Sequence, residues 1–131
     1  MEVEKVDIKG LIPCYNVYRA HGGSLDALEY DKVAYKAMKH IGYVTLDRAY
    51  PYVSEDEDIL YCHAELCDQF AAINALQSRV NAAKDITSES IGPHSVHYAG
   101  AADALQQAQN ALYTICSHYL RPYTYRRVPI V

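Results

Sequence analysis

The sequence contains no tryptophan, only one phenylalanine and no long apolar run, and these absences narrow its class. A membrane-spanning helix needs about 20 consecutive apolar residues, and no segment approaches that length. The sequence also lacks a glycine-rich phosphate loop and the Gly-x-Ser-x-Gly elbow of many hydrolases. These absences argue against a membrane span and against the common nucleotide-binding and hydrolase classes.

Tyrosine takes the place of the missing aromatic residues, with 13 copies in a chain of 131 residues. A chain of this length forms one domain around a single core. Tyrosine offers rigid, amphipathic contact area and is enriched at protein interfaces, but it also packs around cores. Composition alone leaves both roles open.

The charge of the chain is unevenly distributed. The whole chain carries −4, whereas residues 121–131 carry +3 without any acidic residue, which leaves −7 on residues 1–120. An acidic body argues against ordinary binding of duplex DNA, which needs a basic face to neutralise phosphates. The basic C-terminal segment fits a partner that offers acidic or backbone acceptors.

Four cysteines, Cys14, Cys62, Cys67 and Cys116, lack the regular spacing of a disulfide framework. Residues 1–9 alternate charges with valines, which is not the pattern of a secretory signal. We therefore expect free, buried thiols and synthesis in a reducing cytoplasm.

Apolar residues recur at helical spacing in the first half of the chain. A short helix is predicted over 14–20, ended by Gly22 and Gly23. Ser24 is the predicted N-cap of a second helix that closes at Gly42. The predicted inward stripe of this second helix consists of Leu28, Val33, Ala34, Ala37, Met38 and Ile41.

Two longer helices follow. Residues 54–57 form a capping box, which predicts a helix from there to about Ala83. The last helix is predicted over 99–120, because Pro122 prevents its continuation. The predicted inward residues are Ile59, Cys62, Leu66, Phe70, Ile73, Leu76 and Val80 in the third helix, and Ala101, Ala104, Leu105, Ala108, Leu112, Ile115, Cys116 and Tyr119 in the last. These patterns predict an all-α fold, a small helical bundle over residues 1–120 with two long antiparallel helices.

The segment 86–98 between the two long helices combines serines, alternating apolar residues and a Gly92-Pro93 turn signal. This mixture predicts a short polar hairpin or arm that contacts another molecule. The candidate contact residues are Ser88, Glu89, Ile91, His94, Val96 and Tyr98.

The C-terminal segment 121–131 is rich in arginine, tyrosine and aliphatic residues, unlike a typical disordered terminus. We expect an extended interaction tail that docks on a partner, and the alternative is that it folds back over its own bundle. The candidate binding residues are Arg121, Tyr123, Tyr125, Arg126, Arg127, Val128 and Ile130.

The residue pairs and clusters that could form a metal or catalytic site are weak evidence for one. His63 and Cys67 lie four residues apart and could share a metal ion, yet structural packing is the better interpretation of that spacing. A zinc deaminase signature would need a Pro-Cys-x-x-Cys motif after His63, and none follows. The acids of 55–58 fit helix capping. We predict no catalytic residue, no metal and no cofactor, so the protein is not expected to be an enzyme.

A set of residues resembles a known family. Tyr18, His21-Gly22-Gly23, Tyr30, Ala37, Thr45 and Arg48 match the spacing of an N-terminal pattern, and the inter-helix segment 88–98 and the end segment 125–129 match further parts. The pattern resembles that of head–tail connector (adaptor) proteins of tailed bacteriophages, over most of the chain from Tyr18 onward.

The resemblance implies a structural role in the virion. Such an adaptor sits at the head–tail interface, binds the portal protein and a tail-side neck or stopper protein, and assembles into a homo-oligomeric ring of roughly twelvefold symmetry. Double-stranded DNA would pass through the ring, and an acidic wall would let it slide. The alternatives are a small helical regulator or inhibitor that binds one host or phage protein, and a metalloenzyme using His63 and Cys67.

Overall fold

The computed structural model describes residues 8–87 and 93–124, and all regular structure in these two ranges is helical. The elements are a 3-10 turn Ile8–Leu11, α1 Tyr15–Ala20, α2 Ala27–Thr45, a 3-10 turn Tyr50–Tyr52, α3 Glu57–Thr87, α4 Pro93–Tyr119 and α5 Arg121–Thr124. The predicted all-α bundle with two long helices is confirmed. No helix within the described ranges is long and apolar enough to cross a membrane.

The two long helices, α3 and α4, run antiparallel along each other. The Cys62 thiol shares a hydrogen bond with Cys116 near one end of the pair. Further along, the Gln69 side-chain amide donates to the Ala108 carbonyl at 2.9 Å. From the first pair to the second, the residue number rises on α3 and falls on α4, so the two helices are antiparallel.

The main core lies where α1 and α2 pack against the first half of α3. The largest side chains that are fully buried there include Tyr18, Met38, Ile41, Ile59, Leu66 and Leu120. Burying one aliphatic side chain of this size stabilises the fold by about 1.5–3 kcal/mol. Val80 is buried too but lies outside this cluster, so the far end of the α3–α4 pair extends beyond the main core.

The beginning and end of α2 differ from the predicted ones. The N-cap is Asp26, whose carboxylate accepts from the Glu29 amide at 2.8 Å, and not Ser24. Leu28 is 67% exposed, so its predicted inward position is wrong. The helix continues past Gly42 to Thr45, so the predicted end at Gly42 is wrong. Glycine is needed at position 42 for another reason, because a Cβ there would overlap the Tyr50 side chain.

The third helix also begins later than predicted. Asp56 precedes its first residue and accepts from the Asp58 amide at 2.9 Å, so the cap lies two residues after Ser54. A carboxylate at this position satisfies a free N–H group and interacts favourably with the helix dipole. The helix ends at Thr87, four residues beyond Ala83.

The predicted hairpin or arm over 86–98 is corrected at both of its ends. Ile86 and Thr87 belong to α3, and His94, Val96 and Tyr98 lie on the first turns of α4, which begins at Pro93. Proline suits the first position of a helix because its missing N–H has no intrahelical acceptor there. Ser88, Glu89 and Ile91 lie outside the described residues.

Candidate interaction sites

The first residues of the predicted C-terminal tail are helical and fold back on the bundle. Residues 121–124 form α5, so the extended conformation predicted for them is wrong. Pro122 is compatible with this helix because it stands in the first turn, where its missing N–H costs nothing. Tyr125, Arg126, Arg127, Val128 and Ile130 lie outside the described residues, and Arg121 is exposed on α5.

Tyr123 anchors this segment. Its hydroxyl donates to the Asp56 carboxylate at 2.5 Å, and its ring lies 5.7 Å from the Tyr52 ring. The Arg48 guanidinium donates to the Tyr123 carbonyl at 3.4 Å. Burial and the bond to Asp56 both raise the pKa of Tyr123, because they disfavour a phenolate there. The bundle therefore fixes the point at which the remaining C-terminal residues begin.

A cluster of tyrosines joins α1 to α2. The Tyr18 ring stacks on the Tyr30 ring at 4.3 Å, and the Tyr15 ring lies 5.9 Å from both. The Tyr18 hydroxyl donates to Asp68 and accepts from the Leu25 amide at 2.8 Å. A Cβ at Gly23 would overlap the Tyr18 ring, so glycine is required by this close approach. Burial raises the pKa of both Tyr18 and Tyr30, and for Tyr18 the bond to Asp68 adds to it.

His63 and Cys67 pack inside the bundle. Both are 0% exposed, and His63 Nε2 lies 2.9 Å from the Ala34 carbonyl, which can only accept. Burial lowers the pKa of His63 to about 4, so the neutral ring that donates through Nε2–H is the stable form near neutral pH. No group of three His, Cys, Asp or Glu residues within 8–87 and 93–124 could hold a metal ion.

The four cysteines are free thiols, as predicted. Cys62, Cys67 and Cys116 are buried, whereas Cys14 is exposed, so its predicted burial is wrong. Cys116 shares hydrogen bonds with Cys62 and His40 between the long helices. These bonds lower the pKa of Cys116 against the effect of burial. The bond to Cys116 and burial raise the pKa of Cys62.

Sequence reasoning missed a set of large exposed side chains, because periodicity identifies buried faces more directly than functional exposed ones. Five of these seven side chains are tyrosines, and the excess of tyrosine in the sequence was the signal that pointed to those five. The seven residues are Leu28, Tyr35, Tyr43, Leu46, Tyr52, Tyr61 and Tyr113, with exposures from 39% to 80%. Three of them, Leu28, Tyr35 and Tyr43, follow one another along the outer side of α2.

Comparison of the chain with protein-family models, with curated proteins and with solved structures found no match.

Proposed function

We propose that the chain is a structural adaptor at the head–tail junction of a tailed bacteriophage, where copies form a ring beneath the portal and DNA passes through the centre. The observation that carries the proposal is the cluster built by residues of the adaptor-like pattern. Tyr18, Gly23 and Tyr30 belong to that pattern, and they pack on one another at the α1–α2 junction. Because these three residues of the adaptor-like pattern pack together, the pattern has a structural role in this chain, which supports the resemblance to the adaptor family.

The surface composition also supports an adaptor role. Tyr43 and Tyr113 are 80% and 77% exposed, on α2 and α4 respectively. Tyrosine is an interface anchor that gives large contact area with little loss of side-chain freedom. A ring subunit needs two neighbours in addition to its portal and neck partners, so it must present several such surfaces.

The C-terminal residues carry the grip on the portal in this proposal. Tyr125, Arg126 and Arg127 supply aromatic and cationic contacts, and Val128 and Ile130 supply apolar ones. The Tyr123–Asp56 anchor supports this assignment because it fixes the start of the segment on the bundle and reduces the ordering cost of binding.

The junction between α3 and α4 carries the second contact. Ser88, Glu89 and Ile91 precede α4, and His94, Val96 and Tyr98 lie on its first turns. In the proposal this end of the helical pair contacts the tail-side neck protein or a neighbouring subunit.

The test is capture of the portal protein by two forms of the tagged chain from phage-producing cells. The full chain should capture the portal and a neck protein, and a chain ending at Thr124 should lose the portal while keeping its helicity. The matched control replaces 125–131 with a glycine-serine segment of equal length and should fail in the same way. Undiminished capture by the shortened chain would overturn the role of the tail, and recovery of one host protein in a one-to-one complex would favour a regulator instead.

A further inference from the structure

Two exposed helix faces of this chain carry opposite charges at identical spacing. On α2, Lys32, Tyr35 and Lys39 follow one another at steps of three and four residues, and all three are exposed. Steps of three and four keep side chains on one side of a helix, and seven residues span about 10 Å.

The matching face lies on the first turns of α3. Asp58, Tyr61 and Glu65 repeat the same steps of three and four, and they too are exposed. The sequence of α3 contains no lysine or arginine before Arg79, so the acidic residues of this stretch have no lysine or arginine beside them on the helix. When the two faces are aligned in parallel, each lysine meets a carboxylate and the two tyrosines meet each other.

We infer that a second copy of this chain docks here, with the Lys32–Tyr35–Lys39 face of one copy on the Asp58–Tyr61–Glu65 face of the next. The two faces lie on different helices, so a copy that docks through one face keeps its other face free, and the contact is heterologous. Heterologous contacts between identical subunits close into rings or continue as open chains. The inference supplies the subunit interface of the proposed adaptor, and it rests on that function only for closure of the ring.

Contacts within one copy hold these side chains near the surface without burying them. Lys32 pairs with Glu29 at 3.2 Å but stays 59% exposed, and Lys39 lies 5.4 Å above the Tyr35 ring. On the other face, the Tyr61 ring contacts His21 at 4.7 Å and Glu65 accepts from Tyr119. Each face therefore begins partly ordered, which lowers the entropy cost of docking.

The experiment is a reciprocal charge reversal followed by sedimentation velocity. One variant carries Lys32→Glu and Lys39→Glu, and the other carries Asp58→Lys and Glu65→Lys. Each variant alone presents two faces of like charge and should associate at least about tenfold more weakly than the unaltered chain. An equimolar mixture should regain association, because each variant then offers the complement of the other.

Arg79→Glu and Asp103→Lys serve as controls, since both positions are exposed and lie outside the two faces. They should leave association unchanged, and circular dichroism should show that every variant keeps its helicity. A chain that stays monomeric up to about 1 mM, or a mixture that fails to regain association, would overturn the inference. Portal capture by the tagged chain is measured separately, so the adaptor proposal can stand when this interface fails.

Discussion

Three tyrosine hydroxyls bind three carboxylates of α3 or its cap and tie other elements to that helix. Tyr18 donates to Asp68, Tyr119 donates to Glu65, and Tyr123 donates to Asp56. A hydrogen bond to a charged acceptor contributes more than a neutral one, about 1.5–3 kcal/mol where it is shielded from water. Phenylalanine would fill the same space without this bond, which gives a physical reason for tyrosine at these three positions.

His63 should make the stability of the fold depend on pH. Its pKa lies near 4 in the folded chain and near the ordinary 6.5 in the unfolded chain, so the unfolded state binds more protons between those values. The stabilising contribution of the neutral His63 ring should therefore be fully present above about pH 6.5 and be lost as the pH drops towards 4, by about 3 kcal/mol in total. Urea unfolding followed by circular dichroism across this range measures the loss.

The matched variants for this prediction are His63→Gln and His118→Gln. Glutamine at position 63 can still donate to the Ala34 carbonyl but cannot be protonated, so this part of the pH dependence should disappear. His118 is exposed on α4 and lies outside the core, so its replacement is the control for the loss of a surface histidine. A slope that is identical in His63→Gln and in the unaltered chain would contradict the assignment.

At the level of the elements, α2 ends in an unusual backbone conformation. Leu46 has φ 54° and Asp47 has φ 64°, both in the left-handed region, and Leu46 is 70% exposed. A residue with a Cβ pays roughly 1 kcal/mol for this conformation, and glycine does not. Leu46→Gly should therefore stabilise the fold by about 1 kcal/mol in urea unfolding, since little packing is lost.

Leu28→Gly provides the opposite case. Leu28 is 67% exposed like Leu46, but it stands inside the first turn of α2. Glycine there should destabilise the chain by about 0.5–1 kcal/mol, because the helix must order a more flexible residue. Equal changes of the same sign in the two variants would show that backbone strain at Leu46 is unimportant.

The helical elements were predictable from periodicity, and their ends were less so. Ile59, Leu66 and Phe70 follow a 3.6-residue repeat, and all three are buried as predicted. Caps depend on geometry that a local motif does not fix: Ser24 has the right side chain, yet its hydroxyl donates to Asp68, 44 residues away. Asp26 is left as the cap because it stands directly before the helix.

The conformation of the C-terminal segment was harder to predict, again because it depends on long-range contacts. Residues 121–124 resemble an extended strand in composition, but the Tyr123 hydroxyl finds Asp56, which is 67 residues away in sequence. Long-range partners of this kind leave no periodic signal. The exposed faces of α2 and α3 were equally hidden, since a search for apolar stripes identifies the opposite side of each helix.

On the scale of the whole molecule, Asp56 joins the end of the described chain to the start of its longest helix. One carboxylate oxygen accepts from the Asp58 amide at 2.9 Å, and the other accepts from Tyr123 at 2.5 Å. Leu120, which directly precedes α5, is 0% exposed and belongs to the hydrophobic core. The α3–α4 pair, the cap of α3 and the C-terminal turn are therefore parts of one closed unit.

Tyr123→Phe should remove the hydrogen bond to Asp56 and keep the packing of the aromatic ring. The ring can still pack near Tyr52, so the expected loss is the hydrogen bond alone, about 1.5–3 kcal/mol in urea unfolding. Adding Asp56→Asn to the Tyr123→Phe chain should lower the free energy of unfolding by little more, because the two side chains act through one bond and their effects are not additive.

Tyr113→Phe is the control, since Tyr113 is 77% exposed and should change stability by less than about 0.5 kcal/mol. Fully additive losses in the double variant would mean that Asp56 and Tyr123 stabilise the chain independently, and the C-terminal turn would then be held by its apolar contacts.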